Sequence, residues 1–303
     1  MHAAVSNPAV AGPAGSRTPV LAWLLLAPAV VLLAAFTHVP ALMTLVNSLY
    51  STPGANRPAR FIGSDQFRDM LSDPVFMSAL KNNAVYALGT VPASIALAIL
   101  MALIVNSSIR GRTWLRMSFF LPTVLPMIAV ANIWLFFYTP SYGLVDQILG
   151  IFGVHGRNWL GNPDTVLACL MALAIWKEAG FFMIFYLAAL QQISPNLKEA
   201  AAIEGAGRFY FFRRVTFPLL MPTTLFVLIN ALINAFRVVD HVIVMTKGGP
   251  DNASALLLYY VYNVGFKYWD TGYAAALTVV LLAIMGILAF AQFTIFDRKV
   301  HYQ

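Results

Sequence analysis

The sequence predicts an all-α, polytopic integral membrane protein with six membrane-spanning helices. Hydrophobic residues make up 60% of the 303 residues and charged residues only 10%, and six long neutral runs separate the charged positions. A helix needs about 20 apolar residues to cross ~30 Å of hydrocarbon. A soluble protein with six such runs would have too little polar sequence to cover them, so this composition excludes an ordinary soluble domain.

Five neutral runs reach the required length unaided, and the fourth reaches it by extending upstream through Lys177 and Glu178. Residues 1–16, rich in Ala, Pro, Gly and Ser, are predicted to form a disordered cytoplasmic tail before a membrane domain of residues 17–303. The predicted spans lie near residues 20–40, 84–105, 118–138, 167–191, 219–238 and 273–295.

The positions of the basic residues predict that both termini are cytoplasmic, because cytoplasmic segments of membrane proteins carry an excess of Lys and Arg. With that orientation the inside segments contain only three acids, Glu199, Glu204 and Asp297. A basic face beside anionic lipid is sufficient to explain the formal net charge of +7, and no nucleic-acid partner is expected. The predicted inside bases are Arg17, Arg110, Arg112, Arg116, Lys198, Arg208, Arg213, Arg214, Arg298 and Lys299.

Residues 194–218 are predicted to form a helix–turn–helix at the cytoplasmic membrane surface. Ser194 followed by Pro195 is typical of a helix start, and Gly205 suits the left-handed conformation that ends a helix. The aromatic residues beside Arg213 and Arg214 suit an interfacial segment. This stretch could dock into a groove on a soluble partner, and an ordinary solvated loop explains the same residues equally well.

The spacing within this stretch resembles the EAA loop of binding-protein-dependent ABC importer permeases. Glu199-Ala200-Ala201, then Gly205, then Val215-Thr216-Phe217-Pro218 follow the family pattern EAA-x3-G-x9-I-x-L-P. Val and Phe replace the usual Ile and Leu, and a Glu stands at 204 where Asp is commoner. The six-span layout fits the same family, and the resemblance implies a type I ABC importer permease architecture.

In that family the first helix of the loop rests in a cleft of a cytoplasmic ATPase. The resemblance implies that the residues of the coupling surface are Glu199, Ala200, Ala201, Glu204 and Gly205. The chain has no GxxxxGK[ST] phosphate loop, so it is expected to bind no cofactor itself, with ATP held by the partner ATPase. The resemblance places the chain in the bacterial cell membrane. The implied partners are a second homologous permease, two cytoplasmic ATPases and an extracytoplasmic solute-binding protein.

A second resemblance concerns the transported solute. Thr246, Gly248, Gly249 and Pro250 are similar to the TxGGP element of the carbohydrate-uptake, maltose-transporter-like class. The ending KVHYQ and the run FYLAALQQI resemble permease subunits for glycerol-3-phosphate and glycerophosphodiesters. These likenesses imply a small-molecule substrate of sugar or glycerophosphate type, with glycerophosphate favoured and a neutral oligosaccharide as the alternative.

Polar and flat aromatic residues within the spans are the candidates for contacting that solute, because charged groups at bilayer depth usually face a cavity or a partner. Two cations, Lys177 and Arg237, would suit a phosphate through charge-assisted hydrogen bonds. Structural roles remain open for the polar candidates. They are an i,i+3 pair between Arg237 and Asp240, pairing of Lys177 with the companion permease, pairing of Glu178 with a base, and helix–helix contacts by Asn230 and Asn234. The candidates are Trp134, Trp176, Lys177, Glu178, Asn230, Asn234, Arg237 and Asp240.

Two other function classes fit the sequence less well. A polytopic membrane enzyme would need a cluster of acid, base, nucleophile or metal ligands, but the five histidines are scattered and have no ligand spacing. A secondary transporter would show inverted repeats, which the sequence lacks. We therefore predict a non-catalytic permease subunit with no catalytic residues and no metal site.

Overall fold

The computed structural model describes residues 18–107, 109–153 and 156–297, and in this part of the chain the regular secondary structure is helical throughout. The predicted tail, residues 1–16, and the ending KVHYQ lie outside the described residues. Two isolated bridges, Tyr50 with Phe61 and Gly54 with Arg57, are the sole β-type pairings in the described ranges. The prediction of an all-α protein is confirmed.

Five helical stretches of the described chain are long and apolar enough to cross a membrane: 22–47, 74–106, 163–192, 221–245 and 271–292. The helices that form them are α1 Thr18–Leu33 and α2 Val39–Asn47, joined by a π-helical turn Ala34–His38, then α4 Pro74–Asn106, α8 Pro163–Gln192, α12 Met221–Phe236, α13 Asp240–Met245 and α15 Thr271–Asp297. Some helices start well before their predicted windows because polar residues cap them. The Asp73 carboxylate, for example, accepts from the Val75 N–H and starts α4 ten residues early.

The predicted third span, 118–138, is not one straight helix. Helix α5 Arg112–Val124 and helix α6 Met127–Phe137 meet at an angle of 105°. Leu125 precedes a proline and is extended, with φ −73° and ψ 137°, and Pro126 is also extended. A proline disfavours helical conformation at the preceding residue, which explains the break. Counted as one bent span, this pair brings the total among the described residues to six.

The shorter helices lie between the long ones, at the two ends of the bundle. At the end predicted to be outside are α3 Asp65–Ser72, α7 Leu144–Gly150 and α14 Leu257–Tyr262, the last followed by a π-helical turn Asn263–Lys267. At the end predicted to be cytoplasmic are α9 Pro195–Ile203, α10 Arg208–Phe211, a π-helical turn Phe212–Thr216 and α11 Phe217–Leu219.

The core of the bundle is the long contact between α4 and α8, with α12, α5 and α14 packed around it. Small residues make this close approach possible, as is usual between helices in a membrane. Ala98 and Ala102 of α4 and Ala179 of α8 are fully buried. At Gly180 of α8 the backbone of α5 comes so close that a Cβ there would lie 2.1 Å from the Phe119 carbonyl oxygen.

Candidate coupling loop and substrate-binding residues

The predicted coupling loop protrudes from the bundle. None of the residues of α9 is buried, and Glu199, Ala200 and Glu204 are exposed while Ala201 is half-buried. Helix α9 starts at Pro195 as predicted, although the Ser194 side chain makes no hydrogen bond to its first turn. Pro195 has no N–H and the Leu197 N–H donates to the Ser194 carbonyl at 3.2 Å, so little of this helix end is left for solvent or for a partner to bond.

The turn after α9 is built on a left-handed glycine. Gly205 has φ +73°, and the Ala206 N–H donates to the Ala201 carbonyl at 2.9 Å while the Gly205 N–H donates to the Ala202 carbonyl at 3.1 Å. These are the two closing hydrogen bonds of a glycine-terminated helix. Gly207 is extended, with φ −67°, and the chain then enters α10. The predicted helix–turn–helix and the left-handed conformation of its glycine are confirmed.

The second arm of the loop mixes aromatic and basic side chains. Arg214 lies over the ring of Tyr210, 6.0 Å from its centroid, and the rings of Phe212 and Phe217 are 6.1 Å apart. Phe209 and Tyr210 are 75% and 60% exposed, so apolar surface is presented beside the cations. Such a composition suits the boundary between hydrocarbon and headgroups.

Two of the predicted substrate-binding residues lie together. The rings of Trp134 on α6 and Trp176 on α8 are 5.7 Å apart and tilted by 55°. The Trp134 Nε1–H is buried and finds no acceptor among the described residues, whereas Trp176 is 38% exposed. The pair therefore combines an accessible flat face with a buried donor, and a buried tryptophan N–H usually has a partner.

Lys177 has a structural role that the sequence did not reveal. Its ammonium donates to the Pro122 carbonyl oxygen at 2.8 Å and to the Leu125 carbonyl oxygen at 2.6 Å. A helix end leaves its last carbonyls without backbone partners, and the break after α5 creates such an end. Lys177 satisfies two of these carbonyls within its own chain, which removes the main reason to regard it as a phosphate ligand or as a partner of the companion permease.

The remaining polar candidates are dispersed along α8, α12 and the segment after α12. Glu178 is half-buried in α8, and the Asn230 amide donates to the Phe226 carbonyl of its own helix at 2.8 Å. Asn234 is half-buried one turn further along. These three side chains are held by α8 and α12, both of which contact the core helix α4.

The predicted i,i+3 pair between Arg237 and Asp240 does not form on a continuous helix. Helix α12 ends at Phe236, Arg237 caps its C-terminus, and Asp240 is the first residue of α13. Both side chains are exposed. Each occupies a favourable helix end, since a cation stabilises a C-terminus and an anion an N-terminus.

The TxGGP element folds into a largely half-buried turn, in which Gly248 is buried and Lys247 is exposed. The Ser254 hydroxyl donates to the Thr246 hydroxyl at 2.8 Å and contacts the Gly249 carbonyl at 2.6 Å. Gly248 has φ +79°, and a Cβ there would lie 2.5 Å from the Tyr259 ring. The element thus serves to shape the segment between α13 and α14.

Sequence reasoning missed the residues that hold this segment against α4. The Asn82 amide donates to the Asn252 and Ala255 carbonyls at 2.8 and 3.1 Å. The Asn83 side chain accepts from the Leu257 N–H at 3.2 Å and donates to the Ala235 carbonyl at 3.3 Å. The signal in the sequence was the Asn-Asn pair near the start of a predicted span, where buried amides need partners.

In the described ranges no group of three or more His, Cys, Asp or Glu residues is arranged to hold a metal ion.

Comparison with known proteins identifies the family. The profile described as binding-protein-dependent transport system inner membrane component matches residues 94–302. The chain belongs to this family. It is thus a multi-pass membrane protein and a transmembrane permease subunit of an ABC importer.

Relatives in the family differ in the solute that their names state. The chain is 33% identical to the sulfoquinovosyl glycerol permease of Agrobacterium fabrum, over 87% of this chain and 86% of that protein. It is 32% identical to the sn-glycerol-3-phosphate permease of the same organism, over 93% and 97%. It is 33% identical to the lactose permease protein of Rhizobium radiobacter, over 89% and 92%.

Solved structures agree on the fold. A crystal structure of a bacterial ABC transporter that imports the acidic polysaccharide alginate matches with a TM-score of 0.82 at 24% identity, covering 94% of this chain and 98% of that one. A second structure, in which that transporter is bound to an alginate pentasaccharide-bound periplasmic protein, matches with a TM-score of 0.83. The fold of the present chain is therefore that of an ABC importer permease.

Proposed function

We propose that this permease is driven by ATP hydrolysis on a partner chain, through α9 and Gly205. The observation that carries the proposal is that a helix of nine residues stands away from the bundle with no buried residue. A helix this short is marginal in water without tertiary packing. A groove on a soluble ATPase would supply the missing contacts, with Glu199, Ala200, Ala201 and Glu204 in it and Gly205 fixing the angle at which the helix enters.

The proposed assembly contains a second homologous permease, two cytoplasmic ATPases and an extracytoplasmic solute-binding protein. In it the present chain carries out no catalysis and binds no ATP. Both termini and α9 lie on the cytoplasmic side, where the basic second arm of the loop meets anionic lipid.

This orientation can be tested by thiol labelling. Cysteines at the exposed positions Ser64 and Asn252 should react with an impermeant thiol reagent in intact cells, and a cysteine at the exposed position Ser194 only after permeabilisation. Labelling of Ser194→Cys in intact cells would refute this orientation.

The proposed solute is a sugar- or glycerophosphate-type molecule, with an anionic glycerol derivative favoured. The names of two kinds of relative, for sulfoquinovosyl glycerol and for sn-glycerol-3-phosphate, support this choice. Arg237 is exposed and contributes a cation, whereas Lys177 no longer does, because its ammonium is used at the α5–α6 break. Asn230, Asn234, Glu178 and Asp240 would supply further polar groups.

A neutral oligosaccharide is the second candidate. Trp134 and Trp176 favour it, because a flat aromatic face packs against the apolar face of a sugar ring and the Trp176 ring of this pair is accessible. The lactose permease relative supports the same class.

Uptake competition by the assembled complex separates the two candidates. ATP-dependent uptake into vesicles would be measured with glycerol-3-phosphate, glycerophosphocholine, sulfoquinovosyl glycerol and maltose as competitors. We expect the three anionic or zwitterionic glycerol compounds to compete and maltose to be inert. Competition by maltose alone would replace the glycerol derivative with an oligosaccharide, and uptake that does not depend on ATP would refute the coupling role.

A further inference from the structure

An acidic cavity opens at the end of the bundle opposite to α9. It has a volume of about 450 Å³ and lies where the segment after α2, helix α3, the start of α4 and the start of α15 meet. The lining residues that matter here are Thr52, Gln66, Asp69, Asp73, Asp270 and Tyr273. None of them was singled out by the sequence, because they come from four separate parts of the chain.

Hydrogen bonds fix two of the three carboxylates in place. The Thr52 hydroxyl donates to the Asp270 carboxylate, which also accepts from the Tyr273 N–H at 3.1 Å. The Asp73 carboxylate accepts from the hydroxyls of Tyr260 and Tyr273 at 2.5 and 2.7 Å. These bonds join the walls of the cavity to one another, so its shape does not depend on a ligand.

The charge of the cavity is uncompensated among its lining residues. Asp69, Asp73 and Asp270 line it, and among the described residues no Lys, Arg or His does. Partial burial opposes ionisation of Asp73, but the hydroxyls of Tyr260 and Tyr273 and nearby backbone N–H groups outweigh it and lower the pKa of the carboxyl. Asp73 is thus ionised at neutral pH. Several negative charges in one concavity attract a cation.

A buried acceptor adds a second, independent indication of a ligand. Gln66 lines the cavity and is 6% exposed. Its Nε2 donates to the Tyr50 carbonyl at 2.7 Å, whereas its Oε1 is buried and meets no donor in the described part of the chain. A buried acceptor without a donor costs free energy, so its retention points to a donor supplied from outside.

We infer that this cavity receives a basic side chain, a lysine ammonium or an arginine guanidinium, from the extracytoplasmic binding protein. Such a group carries the positive charge that the three carboxylates need and the N–H donor that Gln66 lacks. A metal ion fits less well, since these carboxylates are not grouped as metal ligands. The inference rests on the proposed orientation and assembly, and it assigns the partner contact to α3 and the start of α15.

The test is binding of solute-loaded binding protein to the complete complex in lipid nanodiscs, at low and high salt. Asp69 is suited to substitution because it is exposed and its carboxylate supports no other wall of the cavity. Asp164, exposed in the first turn of α8 at the same end but outside the cavity, is the matched control. We expect Asp69→Lys to weaken binding by about tenfold or more, Asp69→Asn less, and Asp69→Glu little, because like charges at an interface are strongly unfavourable.

Equal binding by Asp69→Lys and Asp164→Lys would overturn the inference. A charge in the cavity would then affect the binding protein no more than a charge elsewhere on the same surface. Stabilisation of the isolated complex by Ca²⁺ that is lost in Asp69→Asn would also overturn it, in favour of a metal site. ATP-dependent uptake by the wild-type complex is measured separately, because it tests the proposed function and not the cavity. A wild-type complex without ATP-dependent uptake refutes that function whatever the Asp69 variants bind.

Discussion

The ammonium of Lys177 on α8 lies 2.6 Å from the carbonyl oxygen of Leu125, at the point where the third span is broken. The same ammonium donates to the Pro122 carbonyl. Lys177 is half-buried within a membrane span. A charged group at that depth is costly unless it is well hydrogen-bonded, and the carbonyls freed by the break provide that bonding. Two unfavourable features, a lysine in a span and a helix broken in a span, therefore stabilise each other.

This relationship predicts the effect of removing the ammonium. Lys177→Met keeps the length of the side chain but leaves both carbonyls without their donor. Hydrogen bonds to charged groups contribute about 1.5–3 kcal/mol each, so we expect a lower unfolding temperature of the purified complex. Uptake should fall to the same extent for charged and neutral solutes. If Lys177→Met kept the wild-type unfolding temperature and raised KM only for anionic solutes, Lys177 would be a ligand after all.

A second prediction concerns the close contact one turn further along α8. At Gly180 a Cβ would lie 2.1 Å from the Phe119 carbonyl oxygen, which is backbone of α5 and cannot move aside as a side chain does. Gly180→Ala should displace α5 and lower the free energy of unfolding by about 1–3 kcal/mol, the usual cost of an overpacked contact. Uptake should fall as well. Gly286→Ala in α15 is the control, because a Cβ there meets nothing within 4 Å. Equal unfolding temperatures for the two variants would contradict the close contact.

The sequence predicted what depends on local composition and missed what depends on distant partners. The long spans follow from the membrane's demand for apolar residues, and the left-handed conformation of Gly205 follows from the glycine itself. The break at Leu125 was missed because hydropathy treats Pro126 as one more neutral residue. The bonds of Lys177 and the tyrosine donors of Asp73 were missed because their partners lie far away in the chain.

The loop around α7 provides a pH-dependent prediction. Backbone N–H groups of Gly156 and Ser141 and the indole N–H of Trp159 donate to the Asp146 carboxylate, and the bond from Gly156 contributes most to lowering its pKa. A lowered folded-state pKa means that the stabilisation is complete above the unfolded-state pKa of about 3.9 and is lost as pH falls through the folded-state value.

Asp146→Asn should therefore lower the unfolding temperature at neutral pH, and the difference from the wild type should shrink as the pH is taken below about 4. Thermal unfolding of the detergent-solubilised protein over a pH series provides the measurement. Asp164→Asn, an exposed carboxylate elsewhere on the same end, is the control. A difference that stays constant down to low pH would mean that the charge of Asp146 does not stabilise this loop.

The coupling loop provides the last prediction, which tests whether its geometry transmits force. Gly205 has φ +73°, and a Cβ added there would meet nothing within 4 Å. Within the permease, any effect of Gly205→Val must then come from the backbone, because a β-branched residue resists the left-handed conformation by roughly 1–2 kcal/mol. Gly207 is equally open but has φ −67°, which a valine readily adopts, so Gly207→Val is a matched control.

We expect both variants to insert in the membrane with the companion permease, since neither position packs against the bundle. Gly205→Val alone should lose co-purification of the ATPase or its stimulation by loaded binding protein, because α9 would then enter the groove at the wrong angle. Gly205→Asn should retain most of the stimulation, because asparagine tolerates the left-handed conformation better than other residues with a side chain. Wild-type stimulation and uptake in Gly205→Val would mean that residues 195–205 are only a solvated loop, and the coupling role would have to be assigned to another segment.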